Sequence, residues 1–150
     1  MENLFTQAGV SNMKMRIDAL TPATQPQWGK MNVSQMLAHC CVAYEIEYTD
    51  KHPKPGAFGR FMIKLFAKSQ VVGPKPYPKN GRTAPMFIIA DEREFEVEKQ
   101  RLLEFMDRTC ELGPAYFDGK ANQGFGVLTE TEWNTMYSKH LDHHLTQFGV

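Results

Sequence analysis

The chain has 150 residues, enough for one domain spanning residues 1–150 whose single core buries about two-thirds of the unfolded surface. Its 17 basic and 17 acidic side chains cancel, which excludes the strong positive charge of a general nucleic-acid binder and disfavours binding to acidic membranes. The three cysteines, Cys40, Cys41 and Cys110, show neither a disulfide framework nor a Cys-x-x-Cys pair, so we expect a reduced, cytoplasmic protein. No secretory signal and no stretch of membrane-spanning length is visible.

Residues 11–20 predict a short leading helix. Met13, Ile17 and Leu20 recur on one side, and Ser11 is a candidate cap. A Thr-Pro pair ends the helix, and a loop with one tryptophan follows.

The next helix begins with a capping-box pattern, in which Asn32 and Gln35 bond each other's backbone amides. About eighteen helical residues should follow, since apolar side chains recur at helical spacing. His39 lies off the centre of this apolar stripe, on a flank with Ala43 and Ile46. We expect that flank to be buried only if a second helix packs against it, as in a helical bundle.

Large apolar residues alternate with Arg60, Lys64 and Lys68 between residues 57 and 69, which predicts a short, basic, amphipathic helix. Three uses are open for it: a bundle helix with solvated lysines, docking on a membrane surface, and a homodimer contact through Phe58 to Phe66. The neutral charge of the whole chain favours the bundle helix.

Four other segments lack clear periodicity. Residues 51–56 predict a turn with a solvated His52 that has no role. The proline-rich segment 71–85 is either a lid over a site or a plain crossover connection. Residues 86–89 are expected as packed extended chain, and 116–128 as a loop that buries its phenylalanines.

Residues 91–112 predict a long helix that ends at Gly113-Pro114. Its polar face is expected in solvent and comprises Glu98, Lys99, Arg101, Glu104, Asp107 and Arg108. A second capping box, Thr129 with Glu132, starts the last helix.

The last helix carries histidines on its apolar stripe. With Trp133 as zero, His140 falls at about 340°, His144 at about 20° and His143 at about 280°. Imidazoles one turn apart on one face can reach a single metal ion, which needs at least one further protein ligand. The alternative is a pair of core histidines that are hydrogen-bonded to their neighbours.

Several motifs resemble those of the DinB/YfiT-like superfamily, and closely those of a family of unknown function within it. They are Trp28-Gly-Lys-Met31, Gln35-Met-Leu-Ala-His39-Cys40, Phe125-Gly126, Leu128-Thr129, Glu132-Trp133, Lys139-His-Leu-Asp-His-His144 and Gln147-Phe148-Gly149. The middle of the chain matches in helix pattern alone. The resemblance implies an all-α, DinB-like four-helix bundle with a short additional N-terminal helix and a long proline-rich crossover loop.

The same resemblance implies a divalent metal site formed by His39, His140 and His144. Three neutral imidazoles leave coordination positions open, and zinc, nickel or iron accepts such ligands. Relatives often carry a His-Pro pair before Phe125, where this chain has Asn122-Gln123-Gly124. Chemistry that needs a proton carrier there would therefore not be shared.

Two functions follow as expectations. The first is a metal-dependent S-transferase or hydrolase acting on a small molecule, with a low-molecular-weight thiol as one candidate substrate. Glu45, Asp142 and Tyr137 are candidate proton carriers, although the spacing specifies none of them and assigns no catalytic residue. The second is a non-catalytic binding or structural protein with an incidental or empty metal site.

Overall fold

The computed structural model describes residues 1–150 and is mostly helical, which confirms the all-α class. Its helices are α1 (Gln7–Asp18), α2 (Val33–Tyr48), α3 (Ala57–Phe66), α4 (Lys68–Val72), α5 (Phe95–Phe117) and α6 (Glu130–Gln147). A 3-10 turn covers Pro85–Phe87, and two short strands, β1 (Ala121–Asn122) and β2 (Gly126–Val127), pair antiparallel. None of the helices has the length and apolar composition needed to cross a membrane.

The leading helix begins at Gln7 rather than at residue 11, because Thr6 and not Ser11 caps it. The Thr6 hydroxyl accepts a 3.2 Å hydrogen bond from the Gly9 amide. Met13 and Ile17 are buried, so the predicted inner face is correct although the predicted start is wrong.

Both predicted capping boxes are present. The Gln35 amide donates to Asn32 Oδ1 at 2.9 Å, and the Gln35 side chain accepts from the Asn32 amide at 3.1 Å. Thr129 and Glu132 form the same reciprocal pair at 3.2 and 2.9 Å. These contacts satisfy first-turn amides and define where α2 and α6 begin.

Helix α5 begins at Phe95 rather than at residue 91. Gly113 has a φ of +69° and a ψ of 173°, a non-helical conformation that glycine tolerates, so the regular helix is interrupted at the predicted stop and a short helical turn follows to Phe117. This turn buries Phe117 against Trp133, with ring centroids 5.3 Å apart.

The polar face of α5 is only partly in solvent. Glu104 and Arg108 are exposed as predicted, but Glu98 is buried. Arg93 and Arg101 both form ion pairs with Glu98, and this pairing offsets the cost of burying its carboxylate.

Helix α3 forms where predicted, but its apolar face is not covered by a bundle. Phe58, Phe61, Leu65 and Phe66 are all exposed. Only a narrow strip of the helix, which includes Ile63, is half-buried. The expectation of a buried bundle helix is therefore wrong for this segment.

Two loop predictions also need correction. Residues 86–89 are not extended throughout, because Met86 and Phe87 belong to the 3-10 turn. The segment 116–128 contains the β1-β2 hairpin, in which Ala121 lies opposite Val127.

One hydrophobic cluster of 23 buried residues joins α1, α2, α5 and α6. Tyr44 of α2 and Tyr137 of α6 stack at its centre, with centroids 4.5 Å apart and rings nearly parallel. Helix α6 contacts α1, α2, α4 and α5, so its inner face lies within the core.

Candidate metal centre

Helix α2 supplies His39. The residue is only 4% exposed, and His39, Ala43 and Ile46 line one cavity. These three residues form the flank of α2 whose burial was predicted to require a second helix packed against it. That neighbour is present, because α6 packs against this side of α2.

Helix α6 supplies His140 and His144. The two ring centroids are 4.8 Å apart and their planes are almost perpendicular. His144 is buried and His140 is half-buried, and Phe87 and Tyr77 each present a ring edge-on to His140. The predicted placement of both histidines on the inner stripe is confirmed.

The three imidazoles converge. His39 Nε2 and His140 Nε2 are 2.9 Å apart. One ring nitrogen from each of His39, His140 and His144 lies within 4.8 Å of those of the other two. Nitrogens around a tetrahedral zinc ion are roughly 3.3 Å apart for bonds of about 2.05 Å. The spacing therefore fits a common ion with small movements of the rings.

The 3-10 turn determines which nitrogen of His39 faces the centre. His39 Nδ1 lies 2.7 Å from the Phe87 carbonyl oxygen, which can only accept, so Nδ1 carries the proton. In the neutral ring, Nε2 then has the free lone pair, and it faces His140. Metal-ligating histidines are commonly oriented by such an outer hydrogen bond.

Gln147 orients His144 in the same way. Its side-chain amide group donates to the Trp28 carbonyl at 2.7 Å, so its oxygen is the atom 2.8 Å from His144 Nδ1. That oxygen accepts the Nδ1 proton and leaves Nε2 of His144 free. Gly29 has a φ of +88°, and a Cβ on it would lie 2.4 Å from the Gln147 amide nitrogen. The Trp28-Gly29 motif therefore makes room for the amide that orients His144.

All three rings are held neutral. Burial is the main cause that lowers the pKa of His39 and of His140, and it lowers that of His144 to about 3. The neighbouring imidazoles lower the pKa of His140 and His144 further. A neutral imidazole is the form that binds a metal ion, so the cluster is in its ligand state at neutral pH without losing a proton.

The cluster opens into a cavity of about 370 Å³. Much of the lining is apolar and includes Ala43, Ile46, Ile63, Val71, Met86, Phe87, Phe125 and Met136. No carboxylate lines it, and Arg82 is its one permanently charged side chain. A volume of this size accepts a small molecule.

His143 lies beside the cluster without joining it. Its half-buried ring packs edge-on against Trp28 and Tyr77, with centroids 5.9 and 5.6 Å away. It lines the cavity as well. The structure therefore groups His39, and not His143, with His140 and His144.

Lys139 attaches the crossover segment to the site, a role that the sequence did not reveal. Its ammonium group donates to the carbonyls of Gln70 and Gly73 at 2.6 Å and of Lys75 at 3.1 Å. Tyr77 and Pro78 then line the cavity next to His140. Part of the segment 71–85 therefore forms a wall of the cavity.

His52 and Glu45 form a second polar group at the cavity. The prediction of a solvated His52 is wrong: its side chain is 15% exposed, and its Nε2 lies 2.7 Å from Glu45 Oε2. Glu45 is buried and also pairs with Lys51 and Arg101. These partners lower the pKa of Glu45 against the opposing effect of its burial, so it is held as a carboxylate.

The other two candidate proton carriers lie away from the cavity. Asp142 is exposed and pairs with Arg16 at 2.7 Å. Tyr137 is fully buried in the aromatic core, where its hydroxyl has no hydrogen-bond partner.

The segment Asn122-Gln123-Gly124 lines the cavity. Asn122 Oδ1 accepts from the amides of Gly124 and Phe125, and the Gln123 amide group donates to the Ile46 carbonyl at 2.7 Å. These side chains thus hold the hairpin against α2, and none of them is a proton carrier.

Comparison with known proteins gives one finding. The family model described as "Protein of unknown function (DUF1569)" matches residues 4–149, nearly the whole chain. No curated protein and no solved structure is significantly similar to the chain.

Proposed function

The chain belongs to the DUF1569 family, whose function is unknown, and we propose that it binds one divalent metal ion through His39, His140 and His144. The observation that carries the proposal is the pair of outer hydrogen bonds, from His39 to Phe87 and from His144 to Gln147. Each holds the proton on Nδ1 and leaves Nε2 free as a ligand. Zinc and nickel suit three imidazoles best, and iron is also compatible.

We further propose that the protein is a metal-dependent S-transferase or hydrolase of small molecules. Three protein ligands leave positions open for a reactant, and the cavity next to them is of small-molecule size. A bound ion would lower the pKa of a thiol or of water and so supply the nucleophile. The resemblance to DinB-like bundles supports the same class.

In this reaction His52 is the proposed proton carrier, with Glu45 as the residue that positions it. His52 lines the same cavity, and the buried carboxylate of Glu45 holds its ring. Glu45 follows His39 by six residues on α2, an axial distance of about 9 Å. His52 can therefore reach the part of a bound molecule that lies away from the histidine cluster.

The test uses chelator-treated protein that is reloaded with zinc, nickel or iron(II) and assayed with small thiols paired with electrophiles and with simple esters and amides. We expect turnover that requires the metal, is absent in His39→Ala, and falls at least tenfold in His52→Gln with the metal content unchanged. Loss of metal from His52→Gln would show that His52 supports the structure of the metal site rather than the reaction. Absence of turnover across the panel with stoichiometric metal would refute the catalytic part of the proposal.

A second function rests on a specific contact. The 2.9 Å approach of His39 Nε2 to His140 Nε2 is also a good hydrogen bond between neutral rings, if His140 donates its Nε2 proton. A non-catalytic helical protein could use the cluster in this way without metal. It predicts no uptake of zinc and a similar loss of folding stability in His39→Ala and His140→Ala.

A further inference from the structure

The charge of the chain is neutral overall but strongly segregated. Residues 51–90 contain eight of the 17 lysines and arginines and none of the 17 aspartates and glutamates. The rest of the chain carries the compensating excess of acid. A segment with this composition attracts an anionic partner, whatever the net charge of the whole protein.

The same segment carries the most exposed apolar face of the molecule. On α3, Phe58 is 76% exposed, Phe61 61%, Leu65 58% and Phe66 68%. At 100° per residue these side chains and Met62 share an arc of roughly 140°. Ile63 lies outside this arc and lines the cavity, and its Cγ2 is 3.2 Å from the position that a Cβ on Gly124 would take. The helix is therefore attached by one side and has its apolar face in solvent.

Arg60 and Lys64 lie on the polar side of α3, and neither forms an ion pair. In contrast, Lys68 beyond the helix is paired with Glu132 at 3.2 Å. Two free cations beside a row of phenylalanines give α3 the pattern of helices that lie in a membrane interface, with aromatic rings in the acyl boundary and basic groups at the lipid phosphates.

We propose that the apolar face of α3 docks the protein on a membrane surface that contains anionic lipids. A symmetric contact between two copies fits less well, because residues 51–90 of a second copy would cover the apolar face but offer no acidic partner to Arg60 or Lys64. An anionic lipid surface covers the phenylalanines and neutralises both cations. The expectation of no membrane contact followed from net charge, which conceals this segregation.

The test measures co-sedimentation of the full chain with vesicles of phosphatidylcholine, with and without phosphatidylglycerol. We expect binding only with phosphatidylglycerol, and weaker binding at high salt. The double variant Arg60→Gln/Lys64→Gln should lower the partition coefficient about 30-fold, because each charge removed lowers it roughly fivefold. Phe61→Ser with Leu65→Ser should abolish binding.

Two matched controls lie outside the segment. Val97→Ser removes an exposed apolar side chain from α5, and Lys30→Gln removes an exposed cation, so both should bind vesicles like the wild type. Circular dichroism establishes that each variant is folded. The proposal is overturned if the wild type does not bind phosphatidylglycerol vesicles, or if the α3 variants bind as it does. If the wild type is a dimer that does not bind vesicles, and the double variant Phe61→Ser/Leu65→Ser is a monomer in sedimentation velocity, the face is a contact between copies.

Discussion

Replacement of Gln147 by methionine tests the hydrogen bond that orients His144. Methionine has nearly the same length and shape as glutamine. It lacks both the oxygen that accepts from His144 Nδ1 and the amide NH2 group that donates to the Trp28 carbonyl. His144 is buried, so no solvent replaces the lost acceptor. The ring is then free to turn or to change its tautomer, which removes Nε2 from the point where the three histidines meet.

The expected magnitude follows from the two lost contacts. Removing an outer hydrogen bond from a metal-ligating histidine lowers metal affinity 10- to 100-fold, or about 1.4–2.8 kcal/mol. Leaving buried polar groups unpaired also costs about 1–3 kcal/mol of folding stability. We therefore expect Gln147→Met to bind zinc 10- to 100-fold more weakly and to unfold at lower urea concentration.

The assay is a competition titration of chelator-treated protein with zinc and a chromophoric chelator. Gln123→Met is the matched control, because Gln123 is also a cavity amide that donates to a backbone carbonyl but does not contact the cluster. It should bind zinc like the wild type. Equal zinc affinity in Gln147→Met and the wild type, or an equal loss in both variants, would refute the orienting role of Gln147.

Three further predictions concern stability. Gly29→Ala, which places a Cβ 2.4 Å from the Gln147 amide nitrogen at a φ of +88°, should cost about 1–3 kcal/mol in urea unfolding, whereas Gly56→Ala, with open space and an ordinary φ, should cost far less. In metal-free protein the pKa of His144 is about 3 in the folded state and 6.5 in the unfolded state, so the unfolded state binds the proton first as pH drops. The free energy of unfolding should therefore decrease between pH 6.5 and pH 3. An unchanged pH dependence in His144→Gln would contradict this assignment. Glu45→Ala should destabilise the fold by about 1–3 kcal/mol, because Lys51, His52 and Arg101 lose the buried carboxylate that they share while Arg101 keeps its pair with Glu98. Exposed Glu104→Ala should change stability by less than about 0.5 kcal/mol, and similar losses of the two variants in thermal unfolding would contradict a special contribution of the buried carboxylate.

Features determined by residues close in sequence were predictable. The capping boxes at Asn32 and Thr129 depend on side chains three residues apart, and both are present. The inner placement of His140 and His144 followed from helical periodicity alone. His39 was different, because its flank of α2 is buried by α6, and this long-range packing came from the family resemblance rather than from spacing.

Other features had no local signal. Phe87 acts through its backbone carbonyl, which every residue has, so nothing in the sequence marks it as a partner of the site. His52 lies next to a proline in a polar turn, a pattern typical of solvated residues, yet its pairing with Glu45 buries most of it. The exposure of α3 was mispredicted because an amphipathic pattern is the same whether its apolar face meets a core or is open.

Elemental analysis of protein purified without an affinity tag tests the metal site most directly. The wild type and His143→Ala should each carry close to one equivalent of zinc, nickel or iron per chain, and His39→Ala, His140→Ala and His144→Ala should each lose it. Full loading that survives His39→Ala, or wild-type protein that neither carries nor takes up a divalent ion, would contradict a three-histidine metal site.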